Sequence, residues 1–250
     1  MITEKVIAKE FNGLWEETLP LLTPSFVRLF NEANSEILTD LPSSKFMQIP
    51  ISSAIEKHDL VAELSFQIAK LSKDNAISID AIKSNSMFFE EAFYNSIQFL
   101  KKYSNLKSYQ ALNVGEITES YELANQYVHF FSYIKANVIE FSPKIAGSGF
   151  LGVCEADLSV DDTLYEIKTV SRNFAGKDIK QLIIYLALQH STGSRRWLHA
   201  GFFNPRKSLH YKFSVDHLIY RTSGGRSTSE VFKDIIDFLE SRGIEIDAIF

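Results

Sequence analysis

Through the first half of the chain, apolar residues recur at steps of three and four, which is the spacing of an amphipathic helix. Thr23-Pro24 precedes Phe26, Leu29 and Phe30, and a capping residue followed by proline is typical of a helix start. Further helices are predicted for D-L-V-A-E-L-S-F-Q-I-A-K-L, for M-F-F-E-E-A-F-Y-N-S-I-Q-F-L-K-K-Y and for residues 116–135. We expect the aromatic stripes of these helices to form core rather than a ligand surface.

From residue 138 onwards the pattern changes to the alternation of β-strands. Three strands are predicted in V-I-E-F-S, L-G-V-C-E-A-D-L-S-V and T-L-Y-E-I-K-T-V, with turns at 147–149 and at Asp161-Asp162. A helix over Lys177 to Gln189 follows, and then strands in R-W-L-H-A-G-F-F-N-P and L-H-Y-K-F-S. The S-T-S-E capping box at 227–230 opens a last helix, and Gly243 predicts its end.

These elements predict an α/β protein in which helices flank a mixed central β-sheet. The order of the later elements is helix, three strands, helix, strand. We divide the chain into a helical region, 1–110, to which the pattern assigns no function, and an α/β domain, 111–250.

Composition narrows the class of protein. The 250 residues are 45% hydrophobic and 23% charged, which is typical of a folded globular protein. A single cysteine cannot form an internal disulfide, and this fits a reducing compartment. The longest apolar run, L-I-I-Y-L-A-L at 182–188, is too short to cross a bilayer, and the charged first residues are unlike a secretory signal. We therefore expect a soluble, cytoplasmic protein without a membrane partner.

Charge is distributed unevenly along the chain. Between Tyr165 and Arg226 there are eleven Lys and Arg residues but three Asp and Glu residues, a net charge of +8. The rest of the chain carries −13, so the overall −5 hides a basic segment. Such a local field is what a polyanionic ligand requires, although a solvated surface balanced by an acidic half would have the same composition.

The candidate chemistry lies at the start of this basic segment. Side chains alternate faces along a strand, so Glu166 and Lys168 share one face. A hairpin that turns at Asp161-Asp162 would bring Asp157 to the same place. Two carboxylates and a main-chain carbonyl, that of Ile167, form an oxygen site that suits Mg²⁺ or Mn²⁺. A lysine beside the ion can orient or help to deprotonate a water molecule, or stabilise a phosphorane-like transition state.

An Asp followed later by Glu-x-Lys is common, and a structural Glu–Lys pair on a solvent-facing strand is the alternative interpretation. The surrounding sequence favours the functional one, because the acids lie between apolar neighbours on consecutive predicted strands. The next predicted helix also carries a polar stripe at steps of four, formed by Lys177, Gln181 and Tyr185.

Asp157-Leu158, L-Y-E-I-K-T at 164–169 and K-D-I-K-Q-L-I-I-Y at 177–185 resemble the PD-(D/E)XK nuclease superfamily. The likeness is to the branch whose next helix carries a Q-x-x-x-Y motif, and it covers about residues 115–215. It implies a restriction-endonuclease-like αβββαβ core and metal-dependent phosphodiester hydrolysis. By position, Asp157 and Glu166 would bind the ion and Lys168 would serve the nucleophilic water.

The resemblance assigns further roles and has two departures. Gln181 and Tyr185 would orient the site or contact the nucleic-acid backbone. The proline that often precedes the first aspartate is replaced by Ala156. The branch also uses an acid from the preceding helix, and among three candidates we choose Glu122. The candidates for this acid are Glu116, Glu119 and Glu122, and those for nucleic-acid binding are Arg172, Lys177, Arg195 and Arg196.

The sequence thus predicts a Mg²⁺- or Mn²⁺-dependent nuclease that acts on DNA in preference to RNA, within a bacterial defence, restriction or repair system. A nuclease-like subunit that binds nucleic acid or a partner without cleavage is the alternative. The acidic helical half could dock a protein partner such as a helicase, and an oligomer is compatible with the sequence.

Overall fold

The structure is a computed structural model, and it describes residues 2–34, 36–37, 48–103, 111–193 and 197–247. The helices in these ranges are α1 (Glu4–Glu10), α2 (Asn12–Thr18), α3 (Pro24–Asn34), α4 (His58–Asp74), α5 (Ile79–Lys83), α6 (Ser86–Tyr103), α7 (Val114–Tyr133), α8 (Gly176–Ser191), α9 (Val215–Thr222) and α10 (Thr228–Asp247). The strands are β1 (Glu36–Ile37), β2 (Ile139–Phe141), β3 (Lys144–Ile145), β4 (Cys154–Glu155), β5 (Leu158–Val160), β6 (Thr163–Ile167), β7 (His199–Asn204) and β8 (Leu209–Ser214).

The main sheet of the described residues has the strand order β1-β8-β7-β6-β5-β2. Strands β6 and β7 are parallel, because α8 connects them as a crossover, and the other neighbours are antiparallel. Strands β3 and β4 form a separate small ladder. The predicted α/β class with a mixed sheet flanked by helices is confirmed.

The turn between β5 and β6 falls where it was predicted. Asp161 adopts a left-handed conformation with φ of 50°, which Asp tolerates better than most residues. Its carboxylate accepts hydrogen bonds from the backbone N–H groups of Val138 and Asn137, at 2.9 Å and 3.4 Å. The turn therefore fixes both the β5–β6 hairpin and the chain that enters β2.

The strand predicted for L-G-V-C-E-A-D-L-S-V is instead two short strands, β4 and β5. The backbone between them turns towards the loop that follows β2: the N–H of Ala156 donates to the carbonyl of Pro143, and the N–H of Ser142 donates to the carbonyl of Asp157. Asp157 consequently lies at the open end of the hairpin, beside the end of β6. This break was missed, and it determines where the aspartate side chain points.

The sheet lies between two helical layers, and successive residues of its central strands face opposite layers. Phe202 of β7 packs in one core cluster with Ile183 of α8. Phe203 packs in the other, where its ring stacks on Phe130 of α7 with centroids 4.2 Å apart. Helices α1, α2 and α10 belong to the α8 layer, and α4 and α6 to the α7 layer.

The N-terminal helices thus share their cores with the α/β part of the chain, and the proposed division at residue 110 stays a prediction. The end predicted at Gly243 is wrong, because α10 continues to Asp247. The cost of a glycine inside a helix, about 1 kcal/mol, is small enough for neighbouring residues to override. Among the described residues, none of the helices combines the length and the hydrophobicity needed to cross a bilayer.

Candidate active site

The structure brings Asp157, Glu166 and Lys168 together at the open end of the β5–β6 hairpin. The Oδ2 atom of Asp157 accepts a hydrogen bond of 2.7 Å from the backbone N–H of Ile167. The Nζ atom of Lys168 donates to Oε1 of Glu166 at 2.6 Å. The hydrogen bond from the Ile167 N–H holds the aspartate side chain against the strand that carries the glutamate and the lysine.

Glu166 is buried in a way that destabilises its charge. The residue is 1% exposed, and its Oε2 atom has no hydrogen-bond partner among the described residues. Burial, followed by the nearby charge of Asp157, raises the pKa of Glu166 to about 8, although Lys168 acts in the opposite direction. A buried carboxylate oxygen without a partner is costly, and a cation is the natural group to compensate it.

Lys168 is a charged donor in this arrangement. Burial alone would lower the pKa of its ammonium group, but the charges of Glu166 and Asp157 outweigh burial and raise the pKa above its ordinary value. The lysine therefore remains protonated at neutral pH. Of the roles predicted for it, orienting a water molecule or stabilising negative charge fits this state, whereas proton abstraction does not.

Two side chains of α8, one turn apart, connect this lysine to the N-terminal helix. Gln181 accepts from Lys168 through Oε1 at 3.2 Å and donates through Nε2 to the Tyr185 hydroxyl at 3.0 Å. The Tyr185 hydroxyl donates to Oε1 of Glu4 in α1 at 3.1 Å. Both α8 residues are buried, and burial, followed by the charge of Glu166, raises the pKa of Tyr185 well above its ordinary value. Of the two roles predicted for them, orienting the site is the one that this burial favours.

A cavity of about 280 Å³ opens beside Asp157, and we call it the acidic cavity. Asp157 and Ile167 line it from the sheet, and Asp59 and Glu63 line it from α4. The other residues around it include Lys5, Ala62, Phe66, Phe99, Leu100, Tyr127, Ser142, Glu155, Ala156 and Thr169. The cavity is therefore rich in carboxylates and is bounded by both halves of the chain.

Glu63 is a component of this cavity that the sequence interpretation missed. Burial, with a smaller contribution from the charges of Asp157 and Glu155, raises its pKa to about 7 against a hydrogen bond from Gln67. A signal was present, because Asp59 and Glu63 are four residues apart and so lie on one face of α4. That signal did not say which part of the chain this face would meet.

The acids predicted from α7 are not brought to this place. Glu122, our choice, has an exposed side chain and does not line the acidic cavity. Glu116 caps the start of α7 through Asn113 and pairs with Lys57 at 3.0 Å. Glu119 pairs with Arg206 at 2.6 Å. The helix that supplies acids to the cavity is α4, not α7.

Two of the four predicted nucleic-acid contacts can be placed. Lys177 is exposed in the first turn of α8. Arg172 is exposed too, but its guanidinium group forms two hydrogen bonds to Asp178, at 2.6 Å and 3.0 Å. Arg195 and Arg196 lie outside the described residues.

The residues present are chemically suited to a hard divalent cation. Carboxylate and carbonyl oxygens are the ligands that Mg²⁺ prefers, and Oε2 of Glu166 is buried and has no partner in the part of the chain that the structure describes. In the described part of the chain, however, no three His, Cys, Asp or Glu side chains converge into a ready-made metal cluster. The available set is thus two carboxylates and the Ile167 carbonyl, with Glu63 within electrostatic reach.

No protein-family model, curated protein or solved structure matches this chain. The likeness to the PD-(D/E)XK superfamily therefore depends on Asp157, on the 164–169 segment and on the two polar positions of α8. Any functional conclusion therefore depends on the geometry of these residues.

Proposed function

We propose that the protein is a metal-dependent nuclease that hydrolyses phosphodiester bonds, in DNA in preference to RNA. The observation that carries the proposal is the meeting of Glu166 and Lys168 with Asp157, which lines the acidic cavity, while one oxygen of the buried glutamate has no partner among the described residues. A surface Glu–Lys pair would have no reason to be buried in this way.

Asp157, Glu166 and the main-chain carbonyl of Ile167 would hold a Mg²⁺ or Mn²⁺ ion. Such an ion polarises a phosphoryl oxygen and lowers the pKa of a bound water molecule. Lys168, protonated by its acidic neighbours, would donate hydrogen bonds to the attacking water or to the charge that develops on the phosphate. Gln181 would hold the lysine in place through its 3.2 Å hydrogen bond.

The order of elements around the site also supports the proposal. Helix α7, strands β2, β5 and β6, helix α8 and strand β7 follow one another along the chain, apart from the small β3–β4 ladder. This is the αβββαβ order that the resemblance implies.

The proposal is tested by incubating plasmid, linear duplex and single-stranded DNA, and an RNA of the same length, with the protein and Mg²⁺ or Mn²⁺. We expect metal-dependent cleavage that Asp157→Asn and Lys168→Met each reduce by about 10²–10³-fold or more. The matched controls are Asp237→Asn and Lys233→Met, exposed positions on α10 where the same chemical changes should leave the rate unchanged.

Cleavage that persists in both site variants would remove the assignment of these residues. If the wild-type protein binds nucleic acid in a salt-sensitive way but does not cleave it with either metal, the binding-only alternative replaces the nuclease. Circular dichroism of each variant is needed to show that a loss of activity does not come from unfolding.

A further inference from the structure

A second, smaller cavity adjoins the acidic cavity, between α1 and the N-terminal end of α8. It has a volume of about 150 Å³, and we call it the α1–α8 cleft. Its lining residues are Lys5, Ala8, Lys9, Arg172, Lys177, Asp178 and Gln181. Lys5 lines both the cleft and the acidic cavity, and Gln181 also contacts Lys168, so the cleft begins at the candidate active site.

The cleft has an excess of positive charge. Four of its side chains are cationic, and one, Asp178, is acidic. The Asp178 carboxylate already has partners within the protein, because it accepts two hydrogen bonds from Arg172 and one of 2.8 Å from the backbone N–H of Ala175. Lys9 lies 2.7 Å from Glu10 at the surface. Lys5 and Lys177, which are both exposed, are the cations most open to a ligand.

A third and larger cavity, of about 870 Å³, shares a lining residue with the cleft. Lys177 lines both cavities, and Lys180, Lys207 and Arg28 line the larger one. The acid here, Glu32, pairs with Arg28 at 3.1 Å. The three cavities are therefore neighbours, the first sharing Lys5 with the cleft and the third sharing Lys177, and their lining changes from acidic to basic. We call this row of cavities the path.

We propose that this path binds the sugar-phosphate backbone of the nucleic acid next to the bond that is cut, with Lys5 and Lys177 contacting phosphates that flank it. A positively charged groove that tracks the backbone is how single strands are held without sequence preference. Helix α1, from the region without an assigned function, forms one wall of the groove. The inference rests on the proposed function for the position of the scissile phosphate, but binding along the path does not require cleavage.

The first test measures binding without cleavage. Fluorescence anisotropy with labelled 20-nucleotide DNA and RNA strands, in EDTA and over a range of NaCl concentrations, compares wild-type protein with the Lys5→Gln/Lys177→Gln double variant. We expect about tenfold weaker binding of both strands, and a slope of log affinity against log salt that is smaller by about 1.4, since each lost contact to a single strand removes about 0.7. The control is Lys73→Gln/Lys233→Gln, two exposed lysines on α4 and α10, which should bind like the wild type.

Lys5→Arg/Lys177→Arg keeps the charge and should retain the wild-type affinity and slope. An unchanged affinity and slope in the glutamine variant would overturn the inference. It would also be overturned if poly-glutamate displaced the labelled strand from the wild-type protein as effectively as an oligonucleotide of equal charge. The variant positions are exposed, so the thermal midpoint should stay that of the wild type and a binding loss can be read directly.

Cleavage assays separate this inference from the proposed function. If the wild-type protein never cleaves but the glutamine variant still loses affinity and salt slope, the path stands and the nuclease proposal fails. If cleavage needs Asp157 and Lys168 but the variant binds and cleaves like the wild type, the nuclease proposal stands and the path fails.

Discussion

Two buried glutamates, Glu166 and Glu119, each pair with a cation at 2.6 Å, yet their surroundings are opposite. They are 1% and 2% exposed. Glu119 accepts hydrogen bonds at both oxygens, from Arg206 and from the backbone and hydroxyl groups of Ser52 and Ser53, at 2.6–3.3 Å. Glu166 accepts from Lys168 through one oxygen, and its other oxygen has no partner among the described residues.

The pKa values of the two carboxyl groups follow this difference. Burial acts to raise both. In Glu119 the hydrogen bonds from Ser52 and Arg206 outweigh burial and lower the pKa, whereas in Glu166 burial and the charge of Asp157 prevail and raise it to about 8. Two carboxyl groups with similarly low exposure are thus a satisfied structural pair in one place and a more deeply buried, unsatisfied group in the other. The unsatisfied one is influenced by the charge of Asp157, which lines the acidic cavity, as expected for a group at a functional site.

The largest effect is expected at the satisfied pair. Glu119→Gln leaves the Arg206 guanidinium buried, 4% exposed, without its carboxylate. Removing one partner of a buried pair costs about 3–5 kcal/mol, because the remaining charge is uncompensated. Urea denaturation at pH 7 measures the free energy of unfolding. The exposed change Glu91→Gln on α6 should stay within about 0.5 kcal/mol of the wild type, and a Glu119→Gln variant that does so too would remove the structural role of the pair.

The second prediction is that the two regions give opposite dependences of stability on pH. The folded pKa values of Glu63 and Glu166 are raised to about 7 and about 8, from an ordinary value of 4.5. As pH rises through this interval the unfolded chain loses these protons first, so the folded state binds more protons and its stability falls. The lowered pKa of Glu119 contributes stability that is present above pH 4.5 and is lost as pH falls below it.

We therefore expect, in EDTA, a free energy of unfolding that falls as the pH rises from 5 to 8. The Glu63→Gln/Glu166→Gln variant should lose most of this slope, because its amides do not titrate. Glu91→Gln, as the control, should keep it. A variant with the full wild-type slope would show that the acidic cavity does not cause the effect.

Metal binding should come next in size. A ligand that binds the folded state stabilises it by about 1.4 kcal/mol when its concentration is ten times the dissociation constant. For a chain of this length that corresponds to a rise of about 3–6 °C in Tm. Differential scanning fluorimetry at pH 8 with Mg²⁺ or Mn²⁺ measures it. The rise should disappear in Asp157→Asn and remain in Asp237→Asn, and an equal rise in both would place the ion elsewhere.

Local sequence signals were sufficient where the structure is local. The Asp161-Asp162 turn and the alternation of strand side chains predicted that Glu166 and Lys168 share a face and that a hairpin would bring Asp157 to them. The four-residue spacing on α8 predicted that Gln181 and Tyr185 would lie on one side of that helix. Each of these depends on periodicity within one element or on one tight turn.

The rest could not be predicted because it depends on contacts between distant segments. Glu63 and Lys5 reach the acidic cavity only because α4 and α1 pack against the two layers around the sheet. An amphipathic pattern says that a helix has a buried face, but not which element covers it. The choice of Glu122 failed to reach the cavity for the same reason: α7 comes directly before the strands in sequence, yet its acids face elsewhere.

The smallest effect is expected from Glu166→Gln, the same chemical change as Glu119→Gln at the unsatisfied site. Because the carboxyl group is already unfavourable when charged, its replacement should change the free energy of unfolding by less than about 1 kcal/mol at pH 7. Lys168 keeps Gln181 as a hydrogen-bond acceptor and has a side chain that is 17% exposed, so its charge remains hydrogen-bonded and partly solvated. Urea denaturation of Glu166→Gln and Glu119→Gln under the same conditions measures the difference between their free energies of unfolding. A loss at Glu166 as large as that at Glu119 would mean that the Glu166–Lys168 pair exists to stabilise the fold, and the main reason to regard it as a catalytic site would be gone.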